Sequence, residues 1–187
     1  MTALAVAVLA AAVLLVAYTY FGYPLLLRLV GSTSPKSIPT PTDTEDWPHI
    51  SFSVPAYNEE AQIDELIKSL LALDYPRDRV EILVVSDASD DRTDEIVRGY
   101  ADQGVRLLRM PERGGKNKAE NAAAHELSSD IIVNTDASIR IAPDALKPLI
   151  AVFADPKIGC ASGRDVSVGS DDDIANAGES GYVGYEM

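Results

Sequence analysis

The sequence predicts an α/β domain built on a mostly parallel sheet, and three observations lead there. Short, largely apolar stretches recur at Ile50–Val54, Val80–Val85, Val105–Leu108 and Ile131–Val133. A stretch with helical spacing or composition follows each run, and each run ends in a polar loop rich in Asp, Asn, Gly or Ser. Strands that alternate with helices at this spacing imply parallel pairing with right-handed crossovers.

Before the sheet, residues 3–27 carry no charged side chain and are mostly Ala, Val and Leu. A bilayer span needs roughly 20 apolar residues, so this segment predicts a transmembrane anchor over 1–30. Tyr18, Tyr20, Phe21 and Tyr23 gather at its far end as an aromatic belt would, and Arg28 follows. A cleaved signal peptide is the rival reading, but it wants a basic start and an apolar run of roughly 7–15 residues. Arg28 and Lys36 on the C-terminal flank place the remainder in the cytoplasm, so the expected location is the cell membrane with one span. Residues 31–48, with Pro35, Pro39, Pro41 and Pro48 among Ser, Thr and acids, read as a semi-rigid linker to a domain over 49–187.

Within that domain, Ile63, Leu66, Ile67, Leu70 and Leu71 form an apolar stripe at helical spacing. Asn58 is the expected N-cap of this helix, with Glu59 and Glu60 in its positive first turn. The next helix should turn Ile96, Val97 and Tyr100 inward, and an Ala-rich helix should run from about Lys116 to Leu127. Pro143 suits the first turn of a further helix, in which Pro148 would lie deeper and bend it. After Ile158–Ser162 the pattern thins, Gly169–Asp173 reads as a solvated loop, and a new aromatic stretch begins at Tyr182. That ending suggests a C-terminally incomplete domain.

The chain has 187 residues, with 16 Lys plus Arg against 29 Asp plus Glu and a formal charge of −13. No basic face is available to displace counterions, which argues against a nucleic-acid partner. One cysteine, Cys160, excludes an internal disulfide, and with only two histidines a structural zinc site is not expected. Cys160 is expected to pack as a small apolar residue.

The four strand ends carry Pro55-Ala56-Tyr57-Asn58-Glu59, then Asp87 with Ser89 and Asp91, then Lys116 after paired glycines, and lastly Asp136 with Ser138. In a doubly wound sheet such loops share one edge, where ligands bind. Together they offer acceptors for a base and ribose, a cation for phosphate and a carboxylate for a hard metal ion, the requirements for holding a nucleotide diphosphate. Plainer readings stand beside these. Asp130–Ser138 can be a strand-terminating turn, Asp87 and Asp91 can be helix caps, and Lys116 a solvated lysine. Neither Gly-x-x-x-x-Gly-Lys nor Gly-x-Gly-x-x-Gly follows the first strand, which removes the ordinary NTPase and dinucleotide readings.

Val54-Pro55-Ala56-Tyr57-Asn58-Glu59-Glu60 resembles the opening motif of family 2 glycosyltransferases, inverting enzymes of the GT-A fold. Ser86-Asp87-Ala88-Ser89-Asp90-Asp91-Arg92-Thr93 resembles their Asp-Asp-Gly-Ser-x-Asp-x-Thr loop, and Gly115-Lys116-Asn117-Lys118-Ala119-Glu120-Asn121 their Gly-Lys-x-x-Ala-Leu-Asn stretch. Thr135-Asp136-Ala137-Ser138 stands where they carry the metal-binding Asp-x-Asp, with Ser138 in place of the second Asp. Tyr20-Phe21-Gly22-Tyr23-Pro24 is similar to the anchor of membrane-bound members related to polysaccharide synthases.

The resemblance implies a GT-A nucleotide-sugar-binding domain. Its donor would be held by Pro55, Ala56, Tyr57, Glu59, Asp87, Ser89 and Lys116, and Mg²⁺ or Mn²⁺ by Asp136 and Ser138. It implies transfer, with inversion, from a nucleotide-diphosphate sugar, UDP-sugar above all, to a saccharide or lipid-linked acceptor in polysaccharide or envelope glycan synthesis. The family's acceptor-side Asp and Gln-x-x-Arg-Trp motif do not occur before Met187. The catalytic base is therefore expected beyond it, and these residues alone are expected to bind donor without transferring it. Two alternatives remain: a non-catalytic, membrane-anchored nucleotide-sugar-binding chain, and a nucleotidyltransferase. The latter would want a Gly- and Arg-rich loop where Pro55-Ala56-Tyr57 stands.

Overall fold

The computed structural model describes residues 2–32 and 47–163, in two compact units, Met1–Ile38 and Pro39–Met187. In the first, α1 (Thr2–Ala17), a π-helical turn (Tyr18–Gly22) and α2 (Tyr23–Ser32) follow one another without a break. Pro24 explains the turn: it has no N–H to bond back into the helix, and the ladder shifts so that Tyr23 N–H donates to the Tyr18 carbonyl. Ala3–Val30 is long and apolar enough to cross a membrane, with 28 residues and a mean hydropathy of 2.3. At ~1.5 Å per residue it is about 42 Å long, more than a ~30 Å hydrocarbon core requires. The linker expected over 31–48 falls largely outside the described residues, as do Gly169–Asp173 and the aromatic stretch from Tyr182.

The second unit is a four-stranded sheet of β1 (Ile50–Ala56), β2 (Val80–Ser86), β3 (Val105–Arg109) and β4 (Ile131–Asn134), ordered β3-β2-β1-β4 and parallel throughout. Alternation along the strands divides the core. Ile50, Phe52 and Val54 of β1 and Ile82 and Val84 of β2 face one side. There they pack on Ile63, Leu66, Ile67 and Leu70 of α3 (Ile63–Leu71), Val97 of α4 (Thr93–Arg98) and Leu146 and Ile150 of α6 (Leu146–Ala151). Leu83 and Val85 face the other side and meet Ala119 and Ala123 of α5 (Lys116–Glu126). Small alanines let α5 lie close to the sheet.

The strand order places the site. The chain runs outward from β1 to β2 and β3, then returns to the opposite side of β1 for β4, so the order reverses between β1 and β4. A crevice opens outside the strand ends at such a switch point. Register deepens it. β2 accompanies β1 for all seven residues, Ile50↔Val80 to Ala56↔Ser86, whereas β4 pairs only from Ile50↔Ile131 to Ser53↔Asn134. After Thr135 N–H reaches the Ser53 carbonyl at 3.2 Å, the β4 chain leaves the last three residues of β1.

Three expectations are corrected. Asn58 does not cap α3, which begins at Ile63 after Gln62; Asp64 and Glu65 occupy its acidic first turn. Asn58 instead adopts a left-handed conformation with φ 55°, one Asn tolerates well, and bonds across to the β2 loop. Pro143 precedes α6 rather than starting it, and its carbonyl accepts Asp74 N–H at 2.8 Å. Pro148 then falls in the first turn of α6, where a missing N–H costs nothing, and does not bend it. Cys160 is exposed and not packed in the core.

Candidate functional site

A cavity of about 310 Å³ lies at the crevice, lined by Pro55, Ala56, Tyr57, Glu59, Asp87, Lys116, Ala119, Asp136, Ala137 and Ser138. Of the residues expected to hold donor or metal, all but Ser89 stand on its wall, while Asn58 and Asp91 lie outside it. The Ser89 side chain is buried behind the wall, where its hydroxyl accepts Asn58 N–H at 3.2 Å and lies 3.1 Å from Ser86 Oγ.

The first two loops hold each other. Asn58 Nδ2 donates to Asp90 Oδ1 at 2.6 Å, and Asp90 N–H returns a bond to Asn58 Oδ1 at 3.0 Å. Glu59 N–H donates to Thr93 Oγ1 at 2.8 Å, Glu60 N–H to Asp91 Oδ2 at 3.0 Å, and Arg92 N–H to Glu60 Oε2 at 3.0 Å. Asp91 also accepts Thr93 N–H at 2.9 Å, so it satisfies the first N–H of α4 from the residue before the N-cap, Arg92. Burial would raise the Asp91 pKa, but the bonds from the Thr93 hydroxyl and from backbone N–H groups outweigh it and hold the carboxyl below its ordinary value.

Asp87 caps no part of α4. It is 4% exposed, and its two oxygens accept Gly114 N–H at 2.6 Å and Gly115 N–H at 2.7 Å. Gly115, with φ 84°, is the N-cap of α5, a conformation that asks for glycine. The buried carboxylate therefore sets the backbone from which Lys116 departs as the first residue of α5. Lys116 Nζ reaches Asp136 Oδ1 at 2.6 Å, and that bond raises the lysine above its ordinary pKa. Both side chains remain about half exposed at the cavity mouth. Glu59, on the same wall, is raised above the usual carboxylate range by burial first, then by the charges of Asp91 and Asp136.

Arg113 escaped the sequence reading. Its guanidinium stands over the Tyr57 ring, 3.8 Å from the centroid, an arrangement that attracts a cation to the aromatic face. The available signal was its position, two residues before Gly115 in a loop already marked by Lys116. Ala119 and Ala137 were missed as lining residues because small apolar side chains carry no chemical signal.

Among the described residues no cluster of three or more His, Cys, Asp or Glu is placed to enclose a metal ion. The donors that are present still suit a hard cation. Asp136 offers a half-exposed carboxylate, Ser138 a hydroxyl lines the same wall, and the Asp136 oxygen already attracts an ammonium. Mg²⁺ and ions like it are commonly held by one or two carboxylates together with substrate phosphates, which is the kind of site this wall provides.

A parallel sheet with helices on both faces, and a polar crevice at its switch point holding a lysine and carboxylates from four loops, defines an α/β domain with its ligand-binding edge at the strand ends. Residues 51–182 match the family described as glycosyl transferase family 2. The chain belongs to that family. Among curated relatives, the beta-monoglucosyldiacylglycerol synthase of Synechocystis sp. is 33% identical over 145 residues, covering 74% of this chain and 30% of the relative. Among solved structures, the mannosyltransferase PcManGT from Pyrobaculum calidifontis, in complex with GDP-Man and Mn²⁺, superposes with TM-score 0.67. It is 35% identical, over 80% of this chain and 45% of that one. TarS 1-349 of S. aureus, in complex with UDP-GlcNAc, gives TM-score 0.54 at 30% identity over 64% of this chain and 37% of that one. The chain thus spans less than half of each of these proteins.

Proposed function

We propose that the cavity holds the nucleoside diphosphate of a sugar donor, and that the whole protein transfers the sugar, with inversion, to a saccharide or lipid-linked acceptor at a membrane. The observation that carries this reading is the convergence of Tyr57, Glu59, Asp87, Lys116 and Asp136, from four separate loops, on one crevice. The base would lie against Tyr57 and Arg113, where an aromatic face and a guanidinium already stack. The diphosphate would reach Lys116 and Asp136. Bound there by Asp136 and Ser138, Mg²⁺ or Mn²⁺ would supply charge neutralisation for the departing diphosphate. Lys116 contributes a further positive charge, and the Asp87–Gly115 contact keeps that lysine in place.

Inverting transfer also needs a base that takes the acceptor hydroxyl proton, a contribution of typically 10²- to 10⁴-fold in rate. The carboxylates of the cavity wall are Glu59, Asp87 and Asp136. Asp87 already accepts two N–H groups, Asp136 is reserved for the cation, and Glu59 stands on the wall assigned to the donor, so the proposed base comes from a part of the protein that closes the acceptor side. Ala3–Val30 is proposed as a retained anchor with the domain in the cytoplasm, where nucleotide sugars are made.

Calorimetry with UDP and with GDP tests the donor assignment. Binding should strengthen with Mg²⁺ or Mn²⁺; Asp136→Asn should remove most of that dependence, and Asp87→Ala should weaken binding with or without metal. Unchanged metal dependence in Asp136→Asn would exclude the metal assignment.

A further inference from the structure

We propose that Lys116 stands in for the metal ion in the donor-free protein, so that the cation and the nucleotide diphosphate can only bind well together. The inference rests on the reading of Asp136 as the metal carboxylate. The Lys116 ammonium lies 2.6 Å from Asp136 Oδ1. The contact is built from both ends: Asp87 fixes Gly114 and Gly115 at the start of α5, and Asp136 follows closely after β4. Lys116 is thus delivered to this carboxylate by the fold.

Charge makes the contact consequential. The wall carries the carboxylates of Glu59, Asp87 and Asp136 and the single ammonium of Lys116. A divalent cation arriving alone must displace that ammonium from Asp136 and leave it beside a dication with no phosphate to turn to. Opposed like charges at such range weaken binding. When a diphosphate is present, its oxygens would accept the ammonium and free Asp136, which with Ser138 would then hold a cation whose charge offsets that of the phosphates. Each ligand thereby removes the obstacle to the other. Linkage requires the effect to be reciprocal, with the nucleotide tightening the cation by the factor with which the cation tightens the nucleotide.

The test is Mn²⁺ titration of residues 1–187 in detergent, read by the electron paramagnetic resonance signal of free Mn²⁺, with and without UDP or GDP and against a protein-free nucleotide blank. The parent should hold Mn²⁺ weakly alone and about tenfold more tightly with nucleotide, within the roughly 5- to 150-fold range of ordinary coupling. Lys116→Met should tighten Mn²⁺ alone by a similar factor and lose most of the nucleotide-dependent gain. Lys116→Arg, which keeps the charge, should behave as the parent. Lys118→Met makes the same change in net charge two residues along α5, on another face of the helix, and should alter nothing. If Lys116→Met binds Mn²⁺ no better than the parent, or Lys118→Met gains equally, the inference is overturned while the metal reading stands. If no protein retains Mn²⁺ beyond the nucleotide blank, both are overturned.

Discussion

Asp87 gives the sharpest test of how fold and site are joined, because a residue expected to hold donor is also bonded to two backbone N–H groups. Its oxygens accept Gly114 N–H at 2.6 Å and Gly115 N–H at 2.7 Å, and the residue is 4% exposed. Hydrogen bonds to a charged partner contribute about 1.5–3 kcal/mol each, and Asp87→Ala deletes both. The adjoining cavity lets water reach the orphaned N–H groups, so the lower part of the range applies, giving a loss of roughly 3–4 kcal/mol. For a chain of this size each kcal/mol moves the midpoint by about 2–4 °C, so Tm should fall by roughly 5–15 °C. Asp87→Asn keeps one acceptor but turns an amide N–H₂ towards the second donor, and should lose about half as much. The readout is built in: Trp47, the single tryptophan, is 8% exposed and lies 5.5 Å from the Tyr75 ring, so its fluorescence reports unfolding of the α/β unit. A parental Tm in Asp87→Ala, with nucleotide binding lost, would refute the structural half of the argument and leave Asp87 as a ligand residue only.

Removing the guanidinium over Tyr57 with Arg113→Ala should weaken UDP or GDP binding by about 2- to 30-fold, the equivalent of a ~0.5–2 kcal/mol cation–π contact, while leaving Tm unchanged because Arg113 is exposed. Equal affinity in calorimetry would separate the pair from the nucleotide. The raised pKa of Glu59 means that the folded state binds its proton more firmly than the unfolded chain does. Its contribution to stability is therefore lost as pH rises from the ordinary 4.5 through the higher folded value. Glu59→Gln should then be neutral in acid and stabilising at neutral pH; a difference that stays constant across denaturant titrations at both pH values would contradict the assignment. Ala88 sits at φ 58°, where an L-residue costs roughly 1–2 kcal/mol. Allowing for the greater entropy of an unfolded glycine, Ala88→Gly should stabilise by about 0.5–1 kcal/mol in chemical unfolding, and a loss of stability would argue against the left-handed turn.

The sheet was legible because its strands are largely apolar, Ile50, Phe52 and Val54 alternating with small serines and Ile82–Val85 running unbroken, and Ile50–Val54 and Val80–Val85 differ from the observed strands by no more than two residues. The stripe from Ile63 to Leu70 was legible for the same kind of reason, its spacing being that of one buried helix face. The start of that helix was not. Asn58, Glu59 and Glu60 carry good local capping chemistry, but their bonds go to Asp90, Thr93, Asp91 and Arg92, some thirty residues on, and a local rule cannot see such partners. Pro148 reads as a bend only if the turn at Pro143 is helical; α6 begins three residues later, which puts Pro148 in its first turn. Ser89 was legible as a loop residue and illegible as a buried one, since Ser86 and Asn58 enclose it only once two loops have met. Arg113 has no periodicity to betray that it folds back on Tyr57.

These misses share a cause that also explains how the site works. The residues that hold the loops together and those left facing the cavity alternate along the same short motifs. Asn58 bonds across to Asp90 and leaves Tyr57 and Glu59 on the wall; Ser89 and Asp91 hold the β1 loop and leave Asp87 at the cavity. Asp87 in turn holds Gly114 and Gly115, and this fixes the point from which Lys116 reaches Asp136. A substitution at Asn58 or Ser89, neither of which lines the cavity, should therefore displace wall groups it never touches, because each loop takes its shape from the next. The crevice gains its geometry from these loop-to-loop bonds, and with that geometry comes an ammonium, Lys116, already seated on Asp136.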